Sequence, residues 1–337
     1  MKALVIVGKE DLRIVEQPMP QPGPGQVRIR VSYVGICGSD LHYYYNGANG
    51  TFVVREPLTP GHEVSGVVDE DRSGHYPPGT PVTVHPARFG PDLPGLEGHR
   101  YRHLRPGGSY LGSASTWPHT QGGMAEYLVV DADMIRPLPP GMSLRDAALA
   151  EPLAVVLHGM GNLKTDFTGA DVLVCGAGPI GLLAVFAAKQ AGAVSVTSSD
   201  LLDGPLLRAR ELGVDRVIQI GPDEVPSNRY DIVLECVGLP ASVSAAIGAA
   251  KPRGLIAQIG MIGPGDQPVA LAGLVNKELT MVGTFRFNDE IDDAISLIAA
   301  HPEAGRVITH VVDIDDAVQG FVMAKNSQAS GKVLIKV

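Results

Sequence analysis

From residue 171 onward the chain alternates strand-like and helix-like runs, and that alternation restricts it to one kind of sheet. Short β-rich runs fit at 172–175, 194–198, 216–220, 231–235, 255–260 and 279–284, with helical stretches such as IGLLAVFAAKQAG and LLRARELG between the first of them. Repeated strand–helix–strand units cover a parallel sheet with helices, the doubly wound α/β arrangement. The run VLVC leads into Gly176-Ala177-Gly178-Pro179-Ile180-Gly181 and then a helix. Gly176 permits a tight turn, Gly178 lets the backbone approach a pyrophosphate, and Gly181 lets helix and strand pack closely. Amides at the helix start would bind the phosphates. Asp200 ends the next run, VSVTSSDLL, and no Lys or Arg follows it before Arg208. A carboxylate there accepts from an adenosine ribose and repels a 2′-phosphate, which predicts NAD in preference to NADP. A glycine-rich turn in an ordinary α/β protein explains the glycines singly, but not strand, loop, helix, strand and acid in order.

Before that region the chain reads differently. Residues 1–145 carry short β-rich runs (ALVIV, QVRIRVSYVGI, VSGVV, TPVTV, AEYLVV) separated by Pro and Gly. This pattern suits a partly closed antiparallel barrel. PARFGPDLPGLEGHRYRHLRPGG, between Pro86 and Gly108, has no periodicity and reads as an excursion. RDAALAEPLAVVLHGMGNL is helical and apolar on more than one face, so it should be buried. After residue 285 come two amphipathic helices, DEIDDAISLIAAHPEAG and DIDDAVQGFVMAKN, and a closing strand GKVLIKV. A chain of 337 residues is long for one core, so two domains are expected.

Net charge is -9 with no basic tract, which argues against a nucleic-acid surface. The N-terminus lacks the apolar core of a signal peptide, and no apolar run reaches the length of a bilayer span. Three cysteines, Cys37, Cys175 and Cys236, are too few and too scattered for a disulfide framework. A reduced cytoplasmic enzyme follows, with Cys175 and Cys236 as small buried apolar residues.

Within the first region, Gly35-Ile36-Cys37-Gly38-Ser39-Asp40-Leu41-His42 sets a thiol, a hydroxyl and an imidazole close together after a strand-like run. Gly61-His62-Glu63 follows a Pro-rich turn, and Glu151 comes much later. Alone, Cys37 and His62 would read as structural. Together, in Gly-flanked loops and with Glu63 and Glu151 as hard oxygen donors, they match three protein ligands of a catalytic zinc with one open position. Adjacent His62 and Glu63 both ligate only if the backbone bends there, which Pro60-Gly61 would allow; otherwise Glu63 supports the site from behind the ligands, or Glu63 and Glu151 exchange. Ser39 and His42 could relay the released proton from substrate oxygen through the cofactor ribose to solvent. Ser39 and Asp40 equally suit helix capping.

The combination GICGSDLHYYY, PGHEVSG, EPLAV, GAGPIG and FRF resembles the zinc-dependent medium-chain dehydrogenase/reductase superfamily, in its sorbitol (polyol) dehydrogenase branch, over essentially the whole chain. The resemblance implies an α/β protein: a GroES-like β-barrel catalytic domain from 1–147 and 286–337 around a Rossmann NAD-binding domain at 148–285. It implies oxidation of a secondary alcohol of a sugar acid or polyol, with hydride passing to NAD. Cys37, His62 and Glu63 match the zinc ligands, and Glu151 a carboxylate that completes the zinc shell or holds water and substrate. Tyr43, Arg286 and Phe287 match substrate contacts; Gly260, Met261 and Phe285 match the nicotinamide end. A homodimer or homotetramer joined near 279–284 is implied, with no membrane or nucleic-acid partner.

Three departures stand out. Relatives often carry a structural zinc held by four cysteines where this chain has Phe89, Asp92, Gly95 and His103, so a single catalytic zinc is expected and no structural one. Pro205 stands where a basic residue often contacts the adenosine end. Phe287 replaces a tyrosine common in polyol dehydrogenases, nearer the pattern of idonate-oxidising members. The competing readings are a sorbitol- or xylitol-type dehydrogenase, a zinc-free quinone or enoyl reductase, and a non-catalytic dinucleotide-binding protein.

Overall fold

A computed structural model describes residues 1–337. The chain forms two compact units: Met1–Glu151 with Ile291–Asn326 and Lys332–Val337, and Pro152–Glu290 with Ser327–Gly331. The divisions fall a few residues beyond 147 and 285, and Ser327–Gly331 returns to the second unit. Glu290, the last residue of the second unit before Ile291, has its carboxylate 2.8 Å from His158 Nδ1 of the same unit.

In the first unit the strand Gln26–Gly35 organises a seven-stranded sheet. One edge pairs antiparallel with Glu63–Asp71, and two register shifts bend that pair. The other edge is divided. Tyr127–Asp131 takes the half at Gln26–Arg30, and Lys332–Lys336 takes the half at Tyr33–Gly35. Pro81–Val84 and Ile135–Pro137 extend the sheet beyond Glu63–Asp71. Val27, Ile29, Val34, Val64, Val82, Leu128, Val333 and Ile335 form its core with Phe321 of the helix Ala317–Lys325. The sheet is antiparallel except for Ile308–Asp313, which runs parallel to Lys332–Lys336. That strand was not anticipated: Ile308, His310 and Val312 face inward and Thr309, Val311 and Asp313 are exposed, but His310 among the inward positions and exposed Val311 hide the alternation in the sequence. The stretch 145–163, expected as one helix, divides into Leu144–Ala147 and Ala150–Asn162.

The second unit holds six parallel strands in the order Arg216–Gln219, Ser195–Asp200, Asp171–Cys175, Tyr230–Glu235, Ala250–Gln258, Thr280–Gly283. This is the doubly wound order, which reverses direction between Asp171–Cys175 and Tyr230–Glu235. All six strands match the expected runs to within a few residues. At their amino ends Asp171 accepts from Ser195 at 2.5 Å and pairs with Arg229, while Lys251 bridges Asp231 at 2.8 Å. No helix is long and apolar enough to cross a membrane.

The cysteine-free excursion folds around an arginine. Ala87–Arg88 pairs with Ser109–Tyr110 to close its neck, and a 3-10 turn spans His99–Leu104. The Arg105 guanidinium donates to the carbonyls of Leu96 (3.0 Å) and Gly98 (2.6 Å) and pairs with Asp92. Arg102 lies over the Phe89 ring at 4.2 Å. A planar fork can hold several acceptors at fixed angles, which a single ammonium cannot.

Two outcomes follow. Arg105→Ala should lower the unfolding free energy by about 2 kcal/mol and expose 89–108 to limited proteolysis, with Arg105→Lys recovering little. The second concerns pH. The Arg229 hydrogen bond, opposed by burial, holds Asp171 down at about 2. Its folded value lies below its unfolded one, so this stability is present above the ordinary carboxylate range and lost as pH falls through about 2. Asp171→Asn should flatten the acid limb of a stability-against-pH curve between those limits.

Candidate metal centre and nucleotide loop

Cys37 sits immediately before the helix Gly38–Asn46, and His62 and Glu63 lead into the strand Glu63–Asp71. Gly35 and Glu63 are register partners in the adjoining strands. The ligand atoms of Cys37, His62 and Glu63 lie within 4.8 Å of one another. Gly61, at φ +96, makes the bend that lets neighbouring His62 and Glu63 reach one place. A side chain at Gly35 is excluded, since a Cβ there would stand 1.7 Å from Glu63 Oε2.

The Asp40 carboxylate is fully buried, with Oδ2 accepting from the Cys37 amide at 2.9 Å and Oδ1 from the Gly61 amide at 3.1 Å. One side chain thus clasps both ligand-bearing loops. Burial raises its pKa, partly offset by His62 and these two amides.

Lys332 was missed in the sequence. Its ammonium, buried with Glu63, meets Glu63 Oε1 at 2.6 Å and donates to the Ile36 carbonyl at 3.2 Å. Burial pushes Lys332 down, but Glu63 and the Cys37 sulfur outweigh it and hold the lysine charged. The only sequence sign was one cation on a closing strand otherwise apolar at its buried positions. Tyr110 was also missed: its hydroxyl donates to Glu151 Oε1 at 2.5 Å, and its ring meets that of His62 edge-on. Glu151 stands outside the set of three.

These residues fit a divalent cation. Glu63 Oε2 is buried with no hydrogen-bond partner. Cys37, Asp40, Glu63 and Glu151 supply four acidic groups against one lysine. Burial alone would push His62 down, yet the Cys37 sulfur, Glu151 and Asp40 carry it up to about 10, so the surroundings strongly favour positive charge. Sulfur, imidazole and carboxylate together are a zinc donor set.

Ser39 and His42 lie one turn apart on the helix Gly38–Asn46. His42 is exposed, its Nδ1 3.1 Å from Asn49 Oδ1. The Tyr43 hydroxyl, of a residue expected to contact substrate, accepts from the Ala114 amide at 3.1 Å and pairs with Ser113 Oγ at 3.2 Å. Its ring is almost fully buried.

In the second unit Gly176 adopts φ +88, and a Cβ on Gly181 would meet the Gly176 carbonyl at 1.9 Å. Gly178 has open space where its Cβ would project, and the helix Pro179–Gln190 starts beside it, carrying Ile180 in its first turn. This open glycine face at a helix start fits a pyrophosphate. Asp200 accepts from the Ala177 amide at 2.8 Å and the Leu202 amide at 3.0 Å. The Arg208 guanidinium is donated to the Ser327 and Gln328 carbonyls.

Gly260 and Met261 follow the strand Ala250–Gln258, and Phe285 follows Thr280–Gly283, at the same carboxyl end of the sheet as Gly176. Arg286, at φ 52, places its guanidinium 4.9 Å from the Phe285 ring centroid, and Phe287 is buried. Glu235 is a further residue that sequence reasoning missed. Fully buried beside the switch point, it accepts from the amides of Val237 (3.0 Å) and Gly238 (2.9 Å), from Ser242 Oγ at 2.6 Å and from Gln258.

Comparison with known proteins agrees with both halves. Residues 23–140 match the alcohol dehydrogenase GroES-like domain, and 179–300 match the zinc-binding dehydrogenase family. The sorbitol dehydrogenase of Bos taurus is 33% identical over 99% of this chain and 95% of its own. Among solved structures, L-idonate 5-dehydrogenase from Escherichia coli superposes with TM-score 0.93 at 28% identity, covering 100% of this chain and 98% of that one. The 2R,3R-butanediol dehydrogenase of Bacillus subtilis gives TM-score 0.87 at 29% identity, covering 100% and 99%.

Lys332→Met should lower the unfolding free energy of the metal-free protein by about 3 kcal/mol, because it strands a buried carboxylate. The loss should shrink when zinc is added. Equal losses with and without zinc in denaturant titrations would contradict the pairing.

Proposed function

Because the chain belongs to the zinc-dependent medium-chain dehydrogenases, in the sorbitol dehydrogenase-like branch, we propose that it oxidises a secondary alcohol of a sugar acid with NAD. The specific substrate is L-idonate, converted reversibly to 5-keto-D-gluconate. The observation that carries the chemistry is the Cys37–His62–Glu63 set with the partnerless Glu63 Oε2 beside it. The sugar-acid assignment is supported by the full-length likeness to L-idonate 5-dehydrogenase. Identity to bovine sorbitol dehydrogenase favours a second reading, a neutral polyol substrate.

Cys37, His62 and Glu63 would hold a single zinc, which supplies a Lewis acid that makes an alcohol easier to deprotonate. The Gly176–Gly181 loop and Asp200 would hold NAD, which takes up the hydride. The rest falls to the chain's own groups. Asp40 keeps the two ligand loops at fixed separation, and Lys332 restrains Glu63. Ser39 Oγ takes the proton released at the alcohol oxygen as its own hydroxyl proton moves on toward exposed His42, which delivers a proton to solvent. Arg286 would offer its guanidinium to the substrate, through a carboxylate or through hydroxyls.

NAD is the preferred cofactor. Asp200 would repel a 2′-phosphate, and Arg208 is already committed to two carbonyls. Phe89, Asp92, Gly95 and His103 offer no thiolate, so one zinc per chain is proposed. The strand Thr280–Gly283 ends the sheet and is proposed as the dimer edge.

A substrate panel with NAD and NADP, with zinc quantified per chain, tests these points together. The expected result is faster turnover of L-idonate than of sorbitol or xylitol, preference for NAD, and one zinc. Faster turnover of neutral polyols would sink the sugar-acid assignment, and a count near two would overturn the single site.

A further inference from the structure

One buried polar group beside the metal centre has no part in the ligand set or the proton path. The Tyr110 hydroxyl donates to Glu151 Oε1 at 2.5 Å, and both side chains are buried. The Tyr110 ring also packs against His62, with centroids 5.4 Å apart and planes at 64°. Edge-to-face packing of this kind limits how the imidazole can turn about its Cβ–Cγ bond.

Tyr110 has little freedom to move. It comes from the neck of the arginine-centred lobe, where Ala87 is its register partner and the Leu111 amide donates to the Pro86 carbonyl at 3.0 Å. The neck admits no extra atoms: a Cβ on Gly90 would lie 1.9 Å from the Pro106 carbonyl, and one on Gly108 would lie 2.6 Å from that of Arg88. The phenol is therefore presented to Glu151 from a rigid support.

We propose that Tyr110 is a positioning residue of the metal centre: its hydroxyl holds Glu151 out of the Cys37–His62–Glu63 set while its ring orients His62. The inference rests on the metal centre of the proposed function. Its physical basis is competition for one carboxylate. An ionised carboxylate accepts hydrogen bonds but donates none, and a short bond from a phenol fixes its orientation and occupies one oxygen. Without that bond, a buried anion is left to find the nearest positive charge, which is the site held by the other three residues. The metal would gain a donor and lose the place kept open for substrate.

Tyr110→Phe removes the hydroxyl and keeps the ring. In cobalt(II)-substituted protein, the visible bands should weaken and shift as the metal gains a donor, and kcat should fall about 10-fold, the scale typical of groups that orient metal ligands. The melting temperature should stay near that of the parent. A double-mutant cycle with Glu151→Gln separates positioning from packing. If Tyr110 acts through Glu151, the effect of removing its hydroxyl on the cobalt spectrum largely disappears in the Glu151→Gln background. An unchanged spectrum in Tyr110→Phe, or equal spectral effects in both backgrounds, overturns the proposal. Should Tyr110→Phe fold poorly, Glu151→Gln alone decides: the parent spectrum must stay unchanged if Glu151 is held off the metal, and a changed one refutes it. The spectrum needs no substrate, so a wrong substrate assignment leaves this test intact, whereas failure to bind any metal would defeat the proposed function itself.

Discussion

A buried ammonium and a buried carboxylate, 269 residues apart, meet at 2.6 Å between Lys332 and Glu63. Neither charge could be enclosed alone without a cost of several kcal/mol. The pair requires the closing strand Lys332–Lys336 to lie against Gln26–Gly35, beside the strand that begins at Glu63. The first unit is consequently assembled from both ends of the chain, and the six-stranded parallel sheet forms in the intervening sequence. The same contact occupies Glu63 Oε1 and leaves Glu63 Oε2 without a partner, so the strand pairing that closes the fold also fixes the carboxylate of the candidate metal centre.

Three carboxylates near Cys37 and His62 differ in role because their partners differ. Asp40 faces two backbone amides and joins loops. Glu63 shares itself between Lys332 and the open centre of the set. Glu151 is taken by a phenol. Residue type does not distinguish them; the hydrogen bond each one already makes does.

The nucleotide unit was largely legible beforehand. Glycines at 176 and 181, the helix from Pro179 and the acid at 200 follow from local backbone demands, and local demands leave spacing in a sequence. Glu235 left no such mark. Its four donors come from Val237, Gly238, Ser242 and Gln258, and Gln258 reaches it only because the strands Tyr230–Glu235 and Ala250–Gln258 are neighbours in the sheet. Arg105 is similar: nothing in PARFGPDLPGLEGHRYRHLRPGG marks one arginine of several as the lobe's centre.

By itself the sequence determined the two-part architecture, the strands of the parallel sheet, and the pairing of Cys37 with His62, while the grouping of Glu63 rather than Glu151 with them came from the tertiary structure. Each of the first three rests on periodicity, on glycine at strained turns, or on ligand types brought together by short loops. Tertiary structure alone decided that Lys332 neutralises Glu63, that Tyr110 takes Glu151, that Asp40 clasps two loops, and that the Tyr43 hydroxyl serves Ser113 and Ala114. Those are contacts between distant segments, and burial makes each one obligatory only after the strands have been paired.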